Sequence, residues 1–399
     1  MEEGVAVGID VAKDVHWVQA VDRRDSEVLL CGSVENAPPA LAALVERLEG
    51  LRDRGRLTVG IDVVGGIAGV LSAMLLEAGI EVVHVSGLAV NRAREGTSGG
   101  EHKSDPRDAA VIADRVRHRR DLRTIAPVGE RDAELRLLVG RRRELVTDQT
   151  RRISRLRDLL ASIHPGLERV VDPTTKAGQQ LLSRYVTPEE IRRAGRRRLI
   201  EHTLRAGRIP RRHAEELANR ALGAAQAQTI AVPGERVAAT LVRELAVEAA
   251  RTRSRLASLD RDLQAALERH PDAALIQSLP GMGVTLAAEF IAEAGSIERF
   301  PTPDKLAAAA GLAPVLKQSG KVRYLKRAHG GNKALKRVFF QSAFCSLQHP
   351  DSKAFYRRKR DERKTHHQAV LALARRRVDV LHAILRNRTP YEHRHANAA

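Results

Sequence analysis

The chain has 399 residues, and 68 lysines and arginines outnumber 49 aspartates and glutamates, which gives a formal net charge of +19. This length allows two or three domains, and the charge predicts a polyanionic partner, with nucleic acid first. Apolar stretches are too short and too often interrupted by charge for a signal peptide or a membrane span. Cys31 and Cys345, far apart, argue against a disulfide framework or a cysteine zinc site. These features predict a soluble, intracellular protein with no membrane partner.

The charge is unevenly distributed. Residues 1–100 hold 9 basic against 15 acidic side chains, whereas the remaining 299 residues hold 59 against 34. Aromatic residues make up only 3% of the chain, which argues against single-strand binding by base stacking as the main mode. We therefore expect an acidic leading domain followed by a basic, nucleic-acid-binding remainder.

The first 128 residues alternate between strand and helix patterns. "VAVGIDVA", "VHWVQAVD" and "EVLLCGSV" predict three strands, of which the first two pair antiparallel. Next come the helix "PALAALVERLEGLRDR", the strand "LTVGID", the helix "GVLSAMLLEAG", the strand "EVVHVS" and a helix opened by Asp105. This succession predicts an α/β domain with a mixed sheet.

The middle of the chain is dominated by long helices. Val, Arg, Val, Gln, Ile, Leu, Leu and Ile occupy positions 139, 142, 146, 149, 153, 156, 160 and 163, a spacing typical of a coiled-coil seam. A second long helix is predicted over 235–269, with a stripe formed by Leu241, Leu245, Leu256, Leu259 and Leu263. The two helices are compatible with an antiparallel arm, a dimerising arm or an ordinary bundle.

A glycine-rich hairpin is predicted near the start of the last domain. "LIQSLPGMGVTLAAEFIAEAG" indicates a helix, a tight turn and a second helix. Gly281 and Gly283 allow close backbone approach, and the next helix directs its first N–H groups outward, which suits a DNA phosphate. The pattern is typical of helix-hairpin-helix modules, although short glycine hairpins also occur as simple turns.

Four aspartates stand where strands end or a helix begins. Asp10 ends the first strand and Asp62 ends "LTVGID", while Asp105 and Asp108 flank the start of a helix. Structurally, Asp105 would be an N-cap before Pro106, and Asp108 would face the helix dipole. Functionally, carboxylates are the ligands that divalent cations prefer, and two metal ions can promote polynucleotidyl transfer. The four together favour a metal site.

Ser319 stands in a predicted loop, next to a glycine and among basic side chains. These are Lys317, Lys321, Arg323, Lys326 and Arg327, with Lys333 a little further on. A loop serine beside glycine is by default a turn residue. A serine that attacks a phosphodiester, however, needs cations around the phosphate. The run "RRKRDERK", residues 357–364, indicates a solvated helical face that also contacts phosphate.

In this order, these pieces resemble the insertion-sequence transposases that have a DEDD (RuvC-like) N-terminal domain and a serine-bearing C-terminal domain, the bridge-RNA-guided recombinases. "VGIDVAKDVHWVQAVD" and "KSDPRDAAVIAD" resemble the family's acidic motifs. "LPGMGVTLAAEFIAEAG", "KLAAAAGLAPVLKQSGK" and "GGNKALKR" resemble its C-terminal domain. One position departs: the family's second acidic residue is typically glutamate, and this chain has the shorter Asp62.

The resemblance implies a fold and a domain division. It implies an RNase H/RuvC-like mixed-sheet domain over 1–128, a helical coiled-coil region over 129–271, a mainly helical serine transposase domain over 272–388 and a tail over 389–399.

It also implies a mechanism. Mg²⁺ would be bound by Asp10, Asp62, Asp105 and Asp108, and Ser319 would form a phosphoserine link to DNA. The metal site and the serine would come from different protomers of a dimer or tetramer. A structured non-coding bridge RNA would select donor and target DNA, and the protein would be cytoplasmic and nucleoid-associated.

Two other functions remain open at this stage. A RuvC-type, structure-selective nuclease would use the carboxylates and water and leave Ser319 passive. A non-catalytic nucleic-acid-binding protein would have a degenerate metal site, and Asp62 at the glutamate position is the feature in its favour.

Overall fold

The computed structural model describes residues 3–95, 104–126, 129–320, 322–326 and 328–392. The chain forms two compact units, Met1–Val128 and Gly129–Ala399. The four-part division expected from the sequence stays a prediction.

A six-stranded mixed sheet organises the first unit. Its strands are β1 (Gly4–Asp10), β2 (Val15–Asp22), β3 (Val28–Glu35), β4 (Arg56–Ile61), β5 (Glu81–His84) and β6 (Arg123–Thr124). Their order across the sheet is β3-β2-β1-β4-β5-β6. β1 pairs antiparallel with β2 and parallel with β4, and β4 pairs parallel with β5. The predicted mixed α/β sheet is confirmed.

Helices cover both faces of this sheet. They are α1 (Pro38–Glu49), α2 (Gly69–Glu77), α3 (Gly87–Glu95) and α4 (Asp105–His118). Apolar residues of α1 and α2 share one core with Val7 and Ile9 of β1, whereas α4 packs with Ala6 on the opposite face. A Cβ atom at Gly8 would lie 2.1 Å from the backbone oxygen of Ala109. Glycine at that position therefore lets α4 lie directly against β1.

The second unit is mainly helical. Its helices are α5 (Glu130–Ile163), α6 (Pro165–Val170), α7 (Lys176–Leu182), α8 (Pro188–Leu204), α9 (Arg211–Ala227), α10 (Glu235–Glu268), α11 (Ala273–Ser278), α12 (Val284–Ala294), α13 (Pro303–Ala309), α14 (Lys333–Cys345), α15 (Pro350–Asp361) and α16 (His366–Asn387). A hairpin of β7 (Val315–Ser319) and β8 (Val322–Lys326) precedes α14. One apolar core joins the ends of α5 and α10 to α11–α16, and a second joins their other ends to α6–α9.

The two long helices α5 and α10 pack antiparallel within one chain. Arg142 Nε lies 2.6 Å from Asp260 Oδ1, and Gln149 Nε2 donates to the Ala249 carbonyl at 3.1 Å. The two polar residues of the predicted seam are thus both satisfied by the neighbouring helix. The antiparallel pairing is thus observed, and both helices also pack into the two helical cores. An arm and a supercoiled or dimerising coiled coil stay predictions.

The predicted leucine stripe on α10 was wrong at its start. Leu241 is 43% exposed, whereas Ala239, Val242, Ala246 and Ala249 form the buried face. Small side chains can form a helix contact face as well as leucine does, so leucine spacing alone misplaced the start of this face.

No helix in the described part of the chain is long and apolar enough to span a membrane. Cys31 and Cys345 are both free and exposed.

Candidate active site

Asp10 and Asp62 lie side by side at one edge of the sheet. Asp10 is the last residue of β1, and Asp62 directly follows β4. The parallel register aligns Ile9 with Ile61, so the carboxyl ends of both strands coincide. The Val11 N–H, one residue beyond Asp10, donates to Asp62 Oδ1 at 3.3 Å. The sheet topology therefore brings together two acidic residues that are distant in sequence.

The carboxyl group of Asp62 has a raised pKa. Burial is the largest cause, and the negative charge of Asp108 adds to it. The backbone N–H of Val11 and the nearby His84 act in the opposite direction. Since like charges disfavour each other at short range, Asp62 and Asp108 belong to one electrostatic site. His84 Nε2 lies 3.2 Å from the Asp62 carbonyl oxygen, a contact that the sequence did not predict.

Helix α4 places its two aspartates differently. Ser104, with extended backbone (φ −150°), is the N-cap, and its side chain makes no cap bond. The prediction of Asp105 as N-cap was therefore wrong, because the helix already includes Asp105 as its first residue. Asp105 is exposed, whereas Asp108 is only 4% exposed. Arg94 Nη1 donates to both carboxylate oxygens of Asp108, at 2.5 and 2.8 Å.

The carboxylate oxygens of these aspartates are of the donor type that binds divalent cations. Within the described residues, no group of three or more His, Cys, Asp or Glu side chains is placed to hold a metal ion. The oxygen donors of Asp10, Asp62 and Asp108 are nevertheless those that Mg²⁺ prefers. A cation would also relieve the repulsion between Asp62 and Asp108. The positive charge next to Asp108 is here supplied by Arg94, so the four-aspartate metal site stays a prediction.

Ser319 is the last residue of strand β7, not a loop residue as predicted. Cross-strand pairs are Ser319 with Val322, Lys317 with Tyr324, and Val315 with Lys326. Side chains alternate between faces along a strand, and directly opposed residues share a face. Lys317, Tyr324 and Lys326 therefore lie on the face that carries Ser319. Arg323, paired with Gln318, lies on the other face.

The whole hairpin is exposed to solvent. Every described residue of β7 and β8 is exposed, including Tyr324 at 54% and Leu325 at 67%. Two-stranded hairpins have little stability alone, and this one presents the Ser319 hydroxyl without burial. Predicted phosphate ligands Lys321 and Arg327 lie outside the described residues.

The glycine turn between α11 and α12 is explained by packing at one position. Gly281 has φ +83°, and a Cβ there would lie 2.6 Å from the Ser342 carbonyl oxygen on α14. The buried Arg377 donates both to Ser342 Oγ and to the Pro280 carbonyl, which fixes the turn from the other side. Gly283 differs, since a Cβ there would meet nothing within 4 Å. The helix-hairpin-helix assignment and the phosphate role of both glycines stay predictions.

Comparison with known proteins places this chain among insertion-element proteins. A DEDD transposase family model of IS110 elements matches residues 7–165, and a transposase model of the IS116/IS110/IS902 family matches residues 273–357. A protein of insertion element IS116 from Streptomyces clavuligerus is 39% identical over 96% of this chain and 94% of its own length. The chain belongs to the IS116/IS110/IS902 family of transposases.

Other relatives agree with this assignment. An IS900 protein from Mycobacterium paratuberculosis is 39% identical over 98% of both chains. An IS110 protein from Streptomyces coelicolor is 38% identical over 98% of this transposase and 96% of its own length. As a member of this family, the protein is an enzyme, a DNA transposase.

Solved structures were also compared with this transposase. Thermus thermophilus RuvC in complex with a Holliday junction substrate is 17% identical to this transposase, covers 30% of it and 99% of the RuvC chain, and has a TM-score of 0.24. The fold of the first unit is assigned from its own six-stranded mixed sheet.

Two residues of this transposase that lie beside the predicted site residues were not predicted from the sequence. Arg94 contacts Asp108 from a helix that the sequence did not predict. Tyr324 shares the Ser319 face only because of a strand pairing that was not predicted.

Proposed function

We propose that this transposase cleaves and exchanges DNA strands through the Ser319 hydroxyl, with Mg²⁺ bound by Asp10, Asp62, Asp105 and Asp108. The observation that carries the proposal is the position of Ser319 at the exposed end of β7, on one hairpin face with Lys317 and Lys326. The two cations would neutralise the phosphate as the serine approaches it.

The proposed step exchanges one phosphate ester for another. Ser319 Oγ forms a bond to phosphorus and loses its proton, while the bond from phosphorus to one deoxyribose oxygen breaks and that oxygen takes up a proton. The number of ester bonds is unchanged, so attack by a different strand end reverses the step and completes the exchange. Mg²⁺, when bound, supplies positive charge for the phosphate oxygens.

The remaining parts of the proposal rest on family resemblance and on charge. We propose that a structured bridge RNA selects donor and target DNA, that the enzyme works as a dimer or tetramer at the nucleoid, and that Gly281, Gly283, Lys317, Lys321, Arg323, Lys326, Arg327 and Lys333 contact nucleic acid. The excess of 59 basic over 34 acidic residues after residue 100 supports nucleic-acid contact over a large surface.

The test is Ser319→Ala in a strand-cleavage assay with element-end DNA, the RNA transcribed beside the gene, and Mg²⁺. We expect cleavage and any SDS-stable protein–DNA adduct to be lost together. Ser162→Ala is the matched control, since Ser162 is an exposed serine whose hydroxyl donates to the nearby Leu159 carbonyl.

The alternatives give different results in the same assay. Cleavage that survives Ser319→Ala but is lost with Asp10→Ala indicates a metal-dependent nuclease with a passive serine. Wild-type protein that binds DNA but never cleaves it indicates the non-catalytic function. RNA guidance fails if omission of the RNA leaves cleavage and its site unchanged.

A further inference from the structure

A pocket in the helical unit lies apart from the hairpin that carries Ser319. It has a volume of about 920 Å³, opens to solvent and is lined by residues of α15 and α16 and by residues 387–392. Its apolar lining includes Leu279, Leu373, Val380 and Ile384. Binding pockets for small organic groups commonly have 300 to 1,000 Å³ (roughly) and apolar walls.

Two guanidinium groups lie against one aromatic ring at the rim of this pocket. The Cζ atoms of Arg358 and Arg376 each lie 5.1 Å from the centre of the Phe355 ring, although they come from different helices. Both side chains are exposed, and within the described part of the chain neither forms an ion pair with a carboxylate. Exposed guanidinium groups beside an apolar pocket can donate charge-assisted hydrogen bonds to an anionic group of a bound ligand.

The other charged groups of the pocket are largely engaged. Arg377 is buried and donates to Ser342 and Pro280. Asp351 accepts a hydrogen bond from the Tyr391 hydroxyl at 2.6 Å. Glu392 stands exposed at the rim. Arg358 and Arg376 are therefore the two groups best placed to receive a ligand.

We propose that this pocket binds a single unpaired nucleotide of a nucleic-acid strand, with its base on the apolar floor and its phosphate between Arg358 and Arg376. Guanidinium groups recognise phosphate oxygens by directed hydrogen bonds. A nucleotide also supplies a flat ring of a size that the cavity accepts, and a DNA transposase meets unpaired nucleotides whenever strands separate. The site requires neither Ser319 nor the aspartates, and both of its arginines lie beyond residue 357, where the second family match ends.

The test measures binding of the full chain to a fluorescein-labelled duplex with one extrahelical thymidine, against the same duplex fully paired, by fluorescence anisotropy without Mg²⁺. We expect tighter binding of the bulged duplex. Arg358→Ala with Arg376→Ala should reduce that preference by at least about tenfold, since even one lost charge-assisted contact has an effect of this size. The same bulge in an RNA duplex shows which nucleic acid the pocket takes, and a preference for either supports the site.

The matched control removes the same charge from the same two helices. Arg357 and Arg386 are exposed residues of α15 and α16 that do not line this pocket. Arg357→Ala with Arg386→Ala should weaken binding of bulged and paired duplexes equally. Ala383→Trp fills the pocket without a change of charge and should remove the preference while circular dichroism stays unchanged.

Two results overturn the proposal. One is equal affinity of the wild-type chain for bulged and paired duplexes, in both DNA and RNA. The other is an equal effect of the pocket pair and the control pair, which means that general charge explains the binding. This assay measures binding and needs no strand cleavage. A negative result here is therefore distinguishable from a failure of the proposed Ser319 chemistry.

Discussion

The guanidinium of Arg94 holds both carboxylate oxygens of Asp108, and both side chains are largely buried, with 11% and 6% of their surfaces exposed. Asp108 also raises the pKa of Asp62 by its charge. Arg94 thus stands where a divalent cation would interact with the same acidic side chains. We therefore expect a cation and the Arg94 guanidinium to compete for the Asp108 carboxylate.

Replacement of Arg94 by alanine should therefore make the thermal stability of the protein depend on a bound metal ion. Without metal, an unpaired buried carboxylate should cost about 3–5 kcal/mol of unfolding free energy. With Mn²⁺ as a Mg²⁺ probe, the thermal midpoint should rise more in Arg94→Ala than in wild type, because Asp108 is free to bind the ion. Arg92→Ala, an exposed change on the same helix, is the control. Equal Mn²⁺ shifts in all three proteins contradict a cation site at Asp108.

The two faces of the β7–β8 hairpin should differ in their effect on cleavage. Lys317 shares the Ser319 face, whereas Arg323 lies on the opposite one. We expect Lys317→Ala to lower the cleavage rate by about tenfold or more, since one charge-assisted phosphate contact contributes about 1.5–3 kcal/mol. Arg323→Ala should reduce DNA affinity without a comparable loss of rate at saturating DNA. Single-turnover kinetics at saturating DNA separate rate from affinity, and equal rate losses argue against the face assignment.

Gly281 and Gly283 should respond differently to the same substitution. In Gly281→Ala the methyl group meets the Ser342 carbonyl, and φ +83° alone costs roughly 1–2 kcal/mol for a non-glycine residue. In Gly283→Ala the methyl group meets no atom within 4 Å, so the substitution should lower the unfolding free energy by less than about 1 kcal/mol. Urea unfolding measures both values. If the turn also binds phosphate, Gly283→Ala should lower DNA affinity although it folds normally, whereas unchanged affinity limits the glycines to a structural role.

Most of the first unit could be predicted from its sequence. β1, β2 and β4 are near-continuous apolar runs that end in acidic or turn residues, so both the strands and the positions of Asp10 and Asp62 were evident. The side-by-side placement of Asp10 and Asp62 follows from strand order, which the local pattern alone does not determine. The Arg94–Asp108 contact joins residues 14 positions apart on two helices and left no periodic signal.

The second unit was harder to predict. The strands β7 and β8 carry Lys, Gln, Ser and Arg and are exposed on both faces, so neither shows the apolar alternation that identifies a strand. The glycine at position 320 was the sequence feature that indicated a turn here, and it has φ +56° in the structure. On α10 the first part of the contact face is formed mainly by alanine, so leucine spacing misplaced the start of the stripe, although the predicted Leu263 is buried.

Buried histidines should make the helical unit less stable in mild acid. Burial lowers the pKa of both His164 and His202 below the usual 6.5. The unfolded chain then binds protons that the folded chain does not, so the unfolding free energy falls as pH drops below about 6.5 and levels off below the folded pKa values. Glu190, whose pKa is also lowered, loses its stabilising contribution only in the more acidic range below 4.5. Thermal unfolding between pH 7.5 and 5 should show this slope, and His164→Gln should reduce it. An equal slope in the variant and in wild type means that His164 does not cause the effect.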